Sequence, residues 1–353
     1  MTAVHQVHPT LAPGDAMSNH VFALRDRLRS WGYASEAYAV QAKPGVESEV
    51  FSYRRMFRSV RPEDTVILHF SMGNEVFDQL VKIPARRVLV YHNITPPEFF
   101  SGINDHAAAF ARLGLRQLEQ IAPAIELAIG VSAFNRQDLD DMGFRKTAQV
   151  PILIDWKLYD APPDPAVLAR WSVFRRKLLF VGRVSPNKRH DDLLRMFAYY
   201  RAVIDPEAQL LLIGSYADHR EYYARLRELQ RALGLETAVT FTGSVSHAAL
   251  VAYYRAADAF VSLSEHEGFG VPLLEAMRFD LPVVAYDAAA VGETVDGAGV
   301  LLHERDLAQA AEAAALVSED AALRAKLAVA GRRRVADFDT EKVAQRTREV
   351  LGL

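Results

Sequence analysis

Glu267 and Glu275 stand eight positions apart in Ser264-Glu265-His266-Glu267-Gly268-Phe269-Gly270-Val271-Pro272-Leu273-Leu274-Glu275-Ala276-Met277. An apolar run leads into this stretch. Pro272 suits the first turn of a helix, where its missing N–H costs nothing. Gly268 and Gly270 flank Phe269 and permit a turn whose N–H groups point outward. The helix that follows adds the positive end of its dipole. Phosphate oxygens or sugar hydroxyls suit such a place. A carboxylate in the loop (Glu267) and one in the helix's first turn (Glu275) can each accept hydrogen bonds from ligand hydroxyls. The residues allow a plainer reading as readily: Glu275 complements the helix N-terminus and Glu267 is solvated.

A second segment, Val181-Gly182-Arg183-Val184-Ser185-Pro186-Asn187-Lys188, ends an apolar run, turns on Gly182 and places two cations five residues apart. Arg183 can take phosphate oxygens two at a time, and Lys188 adds a point charge. A diphosphate held by both would need no metal. Alone, the pair is what many surfaces carry. Its place one strand pattern away from the Gly-rich loop points to a ligand.

These segments need a scaffold that gathers strand ends. Short β-branched runs alternate with longer helical stretches along the chain. In the first half, strands are predicted near 3–8, 34–39, 65–70, 87–92, 126–131 and 147–150. Helices are predicted near 17–31, 74–82, 105–121 and 133–142, with Ser132 placed to cap the last. In the second half, Lys177–Val181, Gln209–Ile213, Val239–Thr242 and Ala259–Leu263 run into Gly182, Gly214, Gly243 and Ser264. Such alternation implies parallel strands with crossover helices, and open parallel sheets bind ligands at the carboxyl edge. A tight turn explains any one of these small residues; their repetition favours a ligand.

Residues 151–176 break the rhythm with Pro151, Pro162, Pro163 and Pro165, and read as a connection where helix or strand would be costly. The expected division is a first domain over 1–160 and a second over 161–339. A last helix near 340–351, within 340–353, is free to return to the first domain.

Composition narrows the classes. A chain of 353 residues has room for about two domains, each with its own core. With 41 Lys+Arg against 44 Asp+Glu, bulk nucleic acid is not an expected partner. The absence of cysteine removes disulfides, thiolate nucleophiles, cysteine zinc sites and iron–sulfur clusters. No apolar run is long enough to span a bilayer. Met1-Thr2-Ala3-Val4-His5 lacks the basic and apolar regions of a secretion signal, so the expected location is cytoplasmic.

Gly182-Arg183 with Lys188, then Gly214, Gly243 and the Glu267-to-Glu275 segment, together resemble the retaining glycosyltransferases of family 4, with the Glu-x7-Glu spacing matched in full. The resemblance is strongest over about 177–302. It implies an α/β protein of GT-B fold, two Rossmann-like domains whose parallel sheets face a central cleft. The implied reaction moves a hexosyl unit, of mannosyl or glucosyl type, from a nucleotide-sugar donor to a hydroxyl of a glycan, glycolipid or small-molecule acceptor. Arg183 and Lys188 would bind the donor diphosphate, and Glu275 the ribose. Glu267 and the amides of Phe269, Gly270 and Val271 would face the donor sugar, with Gly182, Gly214 and Gly268 lining the donor site. Family members carry a histidine at the end of the strand that precedes Tyr91-His92-Asn93-Ile94, which makes His92 a site residue. His69, ending the strand before, is a second candidate. Pro13-Gly14-Asp15-Ala16 sits where many members have a Gly-rich loop near the phosphate. Here Gly14 is the single glycine, which leaves the loop's role open, and Asp15 reads more simply as a helix cap. Arg189 follows Lys188 where glycine is more usual.

Hydrolases of glycosides need two carboxylates flanking the bond, and no pair dedicated to that work is evident. A diphosphate leaves without a strong acid if its charge is met. The family implies front-face substitution, with a leaving phosphate oxygen helping to deprotonate the acceptor. No Asp-x-Asp follows a strand of the donor half, so no cofactor and no essential metal are expected. Two alternatives are a nucleotide-sugar-binding protein without catalysis and a dinucleotide-dependent oxidoreductase. The latter needs Gly-x-Gly-x-x-Gly at a first βα turn, and residues 8–20 and 182–190 lack it. Finally, Phe51-Ser52-Tyr53-Arg54-Arg55-Met56-Phe57-Arg58-Ser59-Val60-Arg61 carries four arginines and no acid. It is either a solvated face over core aromatics or a weak contact with an anionic membrane surface, which would suit a lipid-linked acceptor.

Overall fold

The structure is a computed structural model and describes residues 2–353. The chain forms two compact units. The first takes residues up to Ser101, Asp105–Asp155 and Phe338–Leu353; the second takes Gly102–Asn104 and Trp156–Asp337. Each carries its own parallel sheet, and the architecture is GT-B.

The first unit has seven strands: β1 (Val4–Leu11), β2 (Ala37–Ala42), β3 (Val50–Ser52), β4 (Thr65–Phe70), β5 (Arg86–Tyr91), β6 (Leu127–Gly130) and β7 (Thr147–Gln149). Their order is β3-β2-β1-β4-β5-β6-β7, so the winding reverses at β1 and β4. Val4 pairs with Thr65, which pairs with Arg86, and all carboxyl ends reach one edge. Every residue of β4 is buried, because helices cover both faces of such a sheet. Leu68, Phe70, Phe77, Tyr91 and Leu118 share one core cluster. The helix Ala16–Ser30 starts at Asp15, whose carboxylate accepts the Ser18 N–H at 3.0 Å. Asp15 is therefore a helix cap, the plainer of its two readings.

The second unit has β8 (Lys177–Val181), β9 (Gln209–Ile213), β10 (Val239–Gly243), β11 (Ala259–Ser262), β12 (Val283–Tyr286) and β13 (Val300–Leu302), in the order β10-β9-β8-β11-β12-β13. Here the winding reverses at β8 and β11. A Cβ on Gly214 would lie 2.1 Å from the Gly182 carbonyl oxygen. Glycine at 214 is thus explained by the close approach of two strand ends, before any ligand is considered.

Two expectations need correction. The helix predicted over 74–82 shrinks to Phe77–Leu80. The Gln117 amide holds both the N–H and the carbonyl of Asn74, each at 3.0 Å, and Asn74 Oδ1 accepts the Val76 N–H at 3.0 Å, so Asn74 stands in a turn before the helix. The connection 151–176 contains a helix, Pro165–Ser172. Asp164 caps it on the Ala166 and Val167 N–H groups, and Pro165 sits where a proline is tolerated. Asp155 ends the Asp105–Asp155 segment of the first unit before this helix, and Tyr159 packs on His247 and bonds to Glu275 within the second.

The last helix, Thr340–Leu351, belongs to the first unit. Thr340 donates to the Ile154 carbonyl at 2.8 Å, Arg86 donates to the Leu351 carbonyl at 2.6 Å, and Arg348 lies over the Trp31 ring. No helix among the described residues is long and apolar enough to cross a membrane.

Arg189 adopts φ 50°, the left-handed conformation that explains why glycine would suit this turn. Its guanidinium compensates by pairing with Asp191, Asp192 and Glu265. Arg189→Ala and Arg189→Gly lose the same pairs, and the glycine alone escapes the backbone strain. The glycine variant should therefore be the more stable of the two by about 1 kcal/mol. Urea melts check this, and an alanine variant as stable as the glycine one would refute it.

Candidate functional site

In the second unit β8 and β11 are paired, Leu178 with Ala259, so the loops after them start side by side. After β8, Pro186–Lys188 makes a short 3-10 turn. The Lys188 ammonium donates to Glu267 Oε2. Asn187 fastens the two loops together. Its carbonyl accepts the Glu265 N–H at 2.9 Å, its amide donates to the His266 carbonyl at 2.9 Å, and the Ser185 hydroxyl donates to its Oδ1 at 2.7 Å. Arg183, on the same loop, has a side chain 56 % exposed and meets an equally exposed Asp218 at 3.4 Å. Such a surface pair is worth little, so Arg183 can exchange it for a phosphate at small cost. Burial brings the His266 pKa down to about 4, with Glu267 opposing and Lys188 assisting, so its ring is neutral near pH 7.

The helix Val271–Arg278 begins at Gly270, which takes φ 90° and provides no side-chain cap. Its first N–H groups are what a ligand anion would meet. The loop before it is pinned from behind: Thr294 donates its hydroxyl to the Phe269 carbonyl, and the Ala290 N–H donates to the Glu267 carbonyl at 3.1 Å. Gly268, Phe269, Gly270 and Val271 are thus held in one short stretch beside the Lys188–Glu267 pair.

Glu275 is the fifth residue of this helix and lies in its second turn, not its first. It is only 6 % exposed. Both carboxylate oxygens accept hydroxyls, from Tyr159 on Oε1 and from Tyr254 on Oε2. Burial raises its pKa, against the two tyrosine hydroxyls that favour the charged form. The tyrosines were invisible to spacing arguments, being 116 and 21 positions from Glu275.

In the first unit the carboxyl end of β4 lies between those of β1 and β5. His69, on β4, is fully buried, and His92, half-buried, follows β5. His69 Nδ1 and His92 Nε2 are 3.0 Å apart, and His69 Nε2 is 2.9 Å from Gln6 Oε1. Asn93 then turns the chain at φ 78°. Its amide donates to Asn135 Oδ1 at 2.8 Å and to Asp138 Oδ2 at 3.1 Å, which holds the strained turn. An asparagine after a strand end was the signal for this turn, since asparagine tolerates left-handed backbone. Burial first, then neighbouring histidines, keep the pKa values of His69 and His92 well below the usual range. Gly14, at φ 72°, lies in the exposed turn just before the Asp15 cap.

His20 joins this group edge-on, its ring 5.5 Å from that of His69 and 5.6 Å from that of His92. Among the described residues, these three histidines can bring ring nitrogens within 4.8 Å of one another. Their hydrogen bonds do not suit a resident metal. His20 Nδ1 accepts the Leu153 N–H at 2.8 Å, so a neutral ring keeps its proton on Nε2. Ligation through Nε2 would require an imidazolate.

Residues 172–334 match the family described as "Glycosyl transferases group 1". The chain is 35 % identical over 182 residues to a D-inositol 3-phosphate glycosyltransferase of Salinispora arenicola, covering 49 % of this chain and 40 % of that one. It is 29 % identical over 255 residues to the protein of that name from Kineococcus radiotolerans, covering 66 % and 58 %. The matched stretches thus span about half the length of these curated relatives. Among solved structures, Anabaena HepE in complex with UDP-glucose superposes with a TM-score of 0.80 at 21 % identity over 100 % of both chains. Sucrose-phosphate synthase from Thermosynechococcus elongatus gives 0.78 at 19 % identity over 99 % and 98 %. At such identities these likenesses establish the fold.

Proposed function

We propose that this protein is a retaining glycosyltransferase that moves a hexosyl unit, mannosyl or glucosyl, from a nucleoside-diphosphate sugar to an acceptor hydroxyl. The observation that carries the proposal is the Lys188–Glu267 pair at the reversal point of the second sheet, beside an uncapped helix N-terminus and the exposed Arg183. The similarity to glycosyltransferases over that unit supports it. The reported complex of HepE with UDP-glucose adds the donor class as an expectation.

In this reading Arg183, Lys188 and the first N–H groups of the Val271–Arg278 helix stabilise the diphosphate as it leaves. Glu267 orients the sugar and, through its bond to Lys188, the ammonium as well. Glu275 takes the ribose with the oxygen lone pairs that its two tyrosines leave unused. Gly14, Gly182, Gly214 and Gly268 are the places where donor and backbone come closest. His92 contacts the donor sugar. Substitution occurs on the face from which the diphosphate departs, and a phosphate oxygen takes the acceptor's proton. Charge is met by protein cations, so no metal is essential.

The test is a thermal-shift panel of uridine, guanosine and adenosine diphosphate sugars, followed by transfer assays in excess chelator. A donor of the right base should raise the Tm by mass action, and the product anomer should retain the donor's configuration. Inverted product, or activity abolished by chelator and restored by magnesium, would overturn the corresponding part. No shift with any donor would sink the transferase reading.

A peripheral membrane contact on the first unit is also proposed, in a reduced form. Arg61 is ion-paired with Glu63 and Asp64, which leaves three of the four arginines. Phe51, Tyr53 and Val60 pack on the core, while Arg54, Arg55, Phe57 and Arg58 are exposed. At about 1 kcal/mol per arginine, binding to anionic vesicles should be weak and salt-sensitive. It should vanish in an Arg54/Arg55/Arg58→Glu variant. Co-sedimentation at low and high salt checks this, and equal binding by the variant would assign the stretch to core packing alone.

A further inference from the structure

We propose that Gln6 and His69 are positioning residues that fix the tautomer of His92, leaving its Nδ1 as a hydrogen-bond acceptor for a substrate hydroxyl. The proposal rests on the transferase reading only for the identity of that hydroxyl.

Gln6 has a fixed orientation. Gln6, on β1, is fully buried, and its Nε2 donates to the Val21 carbonyl at 2.9 Å. A carbonyl can only accept, so the Gln6 amide cannot be turned over. Its Oε1 therefore faces His69 Nε2, 2.9 Å away, and His69 must carry a proton there. A ring with one proton then has a lone pair on Nδ1. That lone pair meets His92 Nε2 at 3.0 Å, so the second proton sits on His92 Nε2. What remains on His92 is an unprotonated Nδ1, fully covered and without a hydrogen-bond partner among the described residues.

The reverse arrangement fails at its first step. If His69 Nδ1 carried the proton, its Nε2 lone pair would oppose the Gln6 carbonyl oxygen. Two protons on His69 are disfavoured by burial and by His92, His20 and His8 nearby. The backbone around His92 is fixed as well, by its N–H on the Phe70 carbonyl at 2.8 Å and by the Asn93 turn. Gln6 inside β1, His69 near the end of β4 and His92 just after β5 thus pass one orientation from the Val21 carbonyl to His92. A buried acceptor without a partner is a place where a hydroxyl gains a bond it cannot lose to water.

The experiment is nitrogen NMR on histidine-labelled wild-type protein at neutral pH, with His69→Gln and His92→Gln used to assign the two rings. The expected result is an N–H···N coupling between the rings, with the proton on His92 Nε2 and His92 Nδ1 unprotonated. A proton on His69 Nδ1, or on His92 Nδ1, would overturn the relay. Gln6→Leu should mix the tautomers of both rings. It should also lower turnover about tenfold or more while donor KM stays within about twofold, as expected when a catalytic histidine loses its orientation. An unchanged His92 spectrum in that variant would refute the role of Gln6. The wild-type spectrum needs no activity, so a failed transferase assay and a failed relay give different results.

Discussion

Lys188→Ala should reduce sugar transfer about a hundred- to a thousandfold, and Arg183→Ala about tenfold or more, on the order of 1.5–4 kcal/mol of lost charge stabilisation. The order follows from geometry. Lys188 is partly buried and bonded to Glu267, so its removal takes away a cation and frees the carboxylate it orients. Arg183 is exposed and replaceable in part by solvent. Lys188→Ala should also lower stability by about 1–2 kcal/mol, because Glu267 is left partly buried without its donor. Arg183→Ala should melt like the wild type. Steady-state kinetics and urea melts on both variants check the pair. Near-wild-type turnover in both would remove the diphosphate assignment.

Glu275 gives the second large effect, and it separates binding from folding. Glu275→Ala strips two buried tyrosine hydroxyls of their acceptor, which should cost about 2–4 kcal/mol of stability. Glu275→Gln keeps one oxygen to accept and one amine to donate, so most of that loss should return. Both variants should bind nucleoside diphosphate more weakly if Glu275 also holds ribose. Glu267→Ala should spare that affinity and depress turnover. Calorimetry with the bare diphosphate decides, and a Glu275→Gln variant of unchanged affinity would confine the residue to a structural role. The pH dependence has a definite sign. A carboxyl whose folded pKa is raised contributes its stability below the ordinary value of 4.5. That contribution is lost as pH rises through the raised folded value. The Glu275→Gln variant lacks this titration, so its stability relative to wild type should improve across that interval.

The strand ends that carry the site were legible because each is an apolar run broken by a glycine or serine. Lys177–Val181 before Gly182 and Ala259 onward before Ser264 were placed on that signal alone. Elements held by tertiary contacts were not. β3 is three residues long and pairs only with β2 at the sheet edge, so no period of two could develop. β12 and β13 are likewise short, four and three residues. Inside the site, Lys188 and Glu267 could be named from sequence, but their bond could not, since it joins residues 79 positions apart. Asn187 carries no motif and is the tie between two loops. Glu275 is expected in the first turn and lies in the second, because the helix already starts at Val271 and makes Glu275 its fifth residue. In the first unit, His69 and His92 were each noted as strand-end histidines. Gln6 was missed because a glutamine inside an apolar strand carries no motif; only its buried bond to the Val21 carbonyl reveals it.

The helix Thr340–Leu351 has a consequence for how the chain is made. Its bonds to Arg86 and Ile154 complete the first unit with residues synthesised after the whole of Trp156–Asp337. During synthesis the second unit, apart from Gly102–Asn104, is one continuous segment and can close as soon as it leaves the ribosome. The first unit must wait with one flank of its sheet uncovered, although its strands emerge earlier. The order of completion is thus opposite to the order of synthesis. The apolar surface that the last helix covers is the part of the nascent chain exposed for longest.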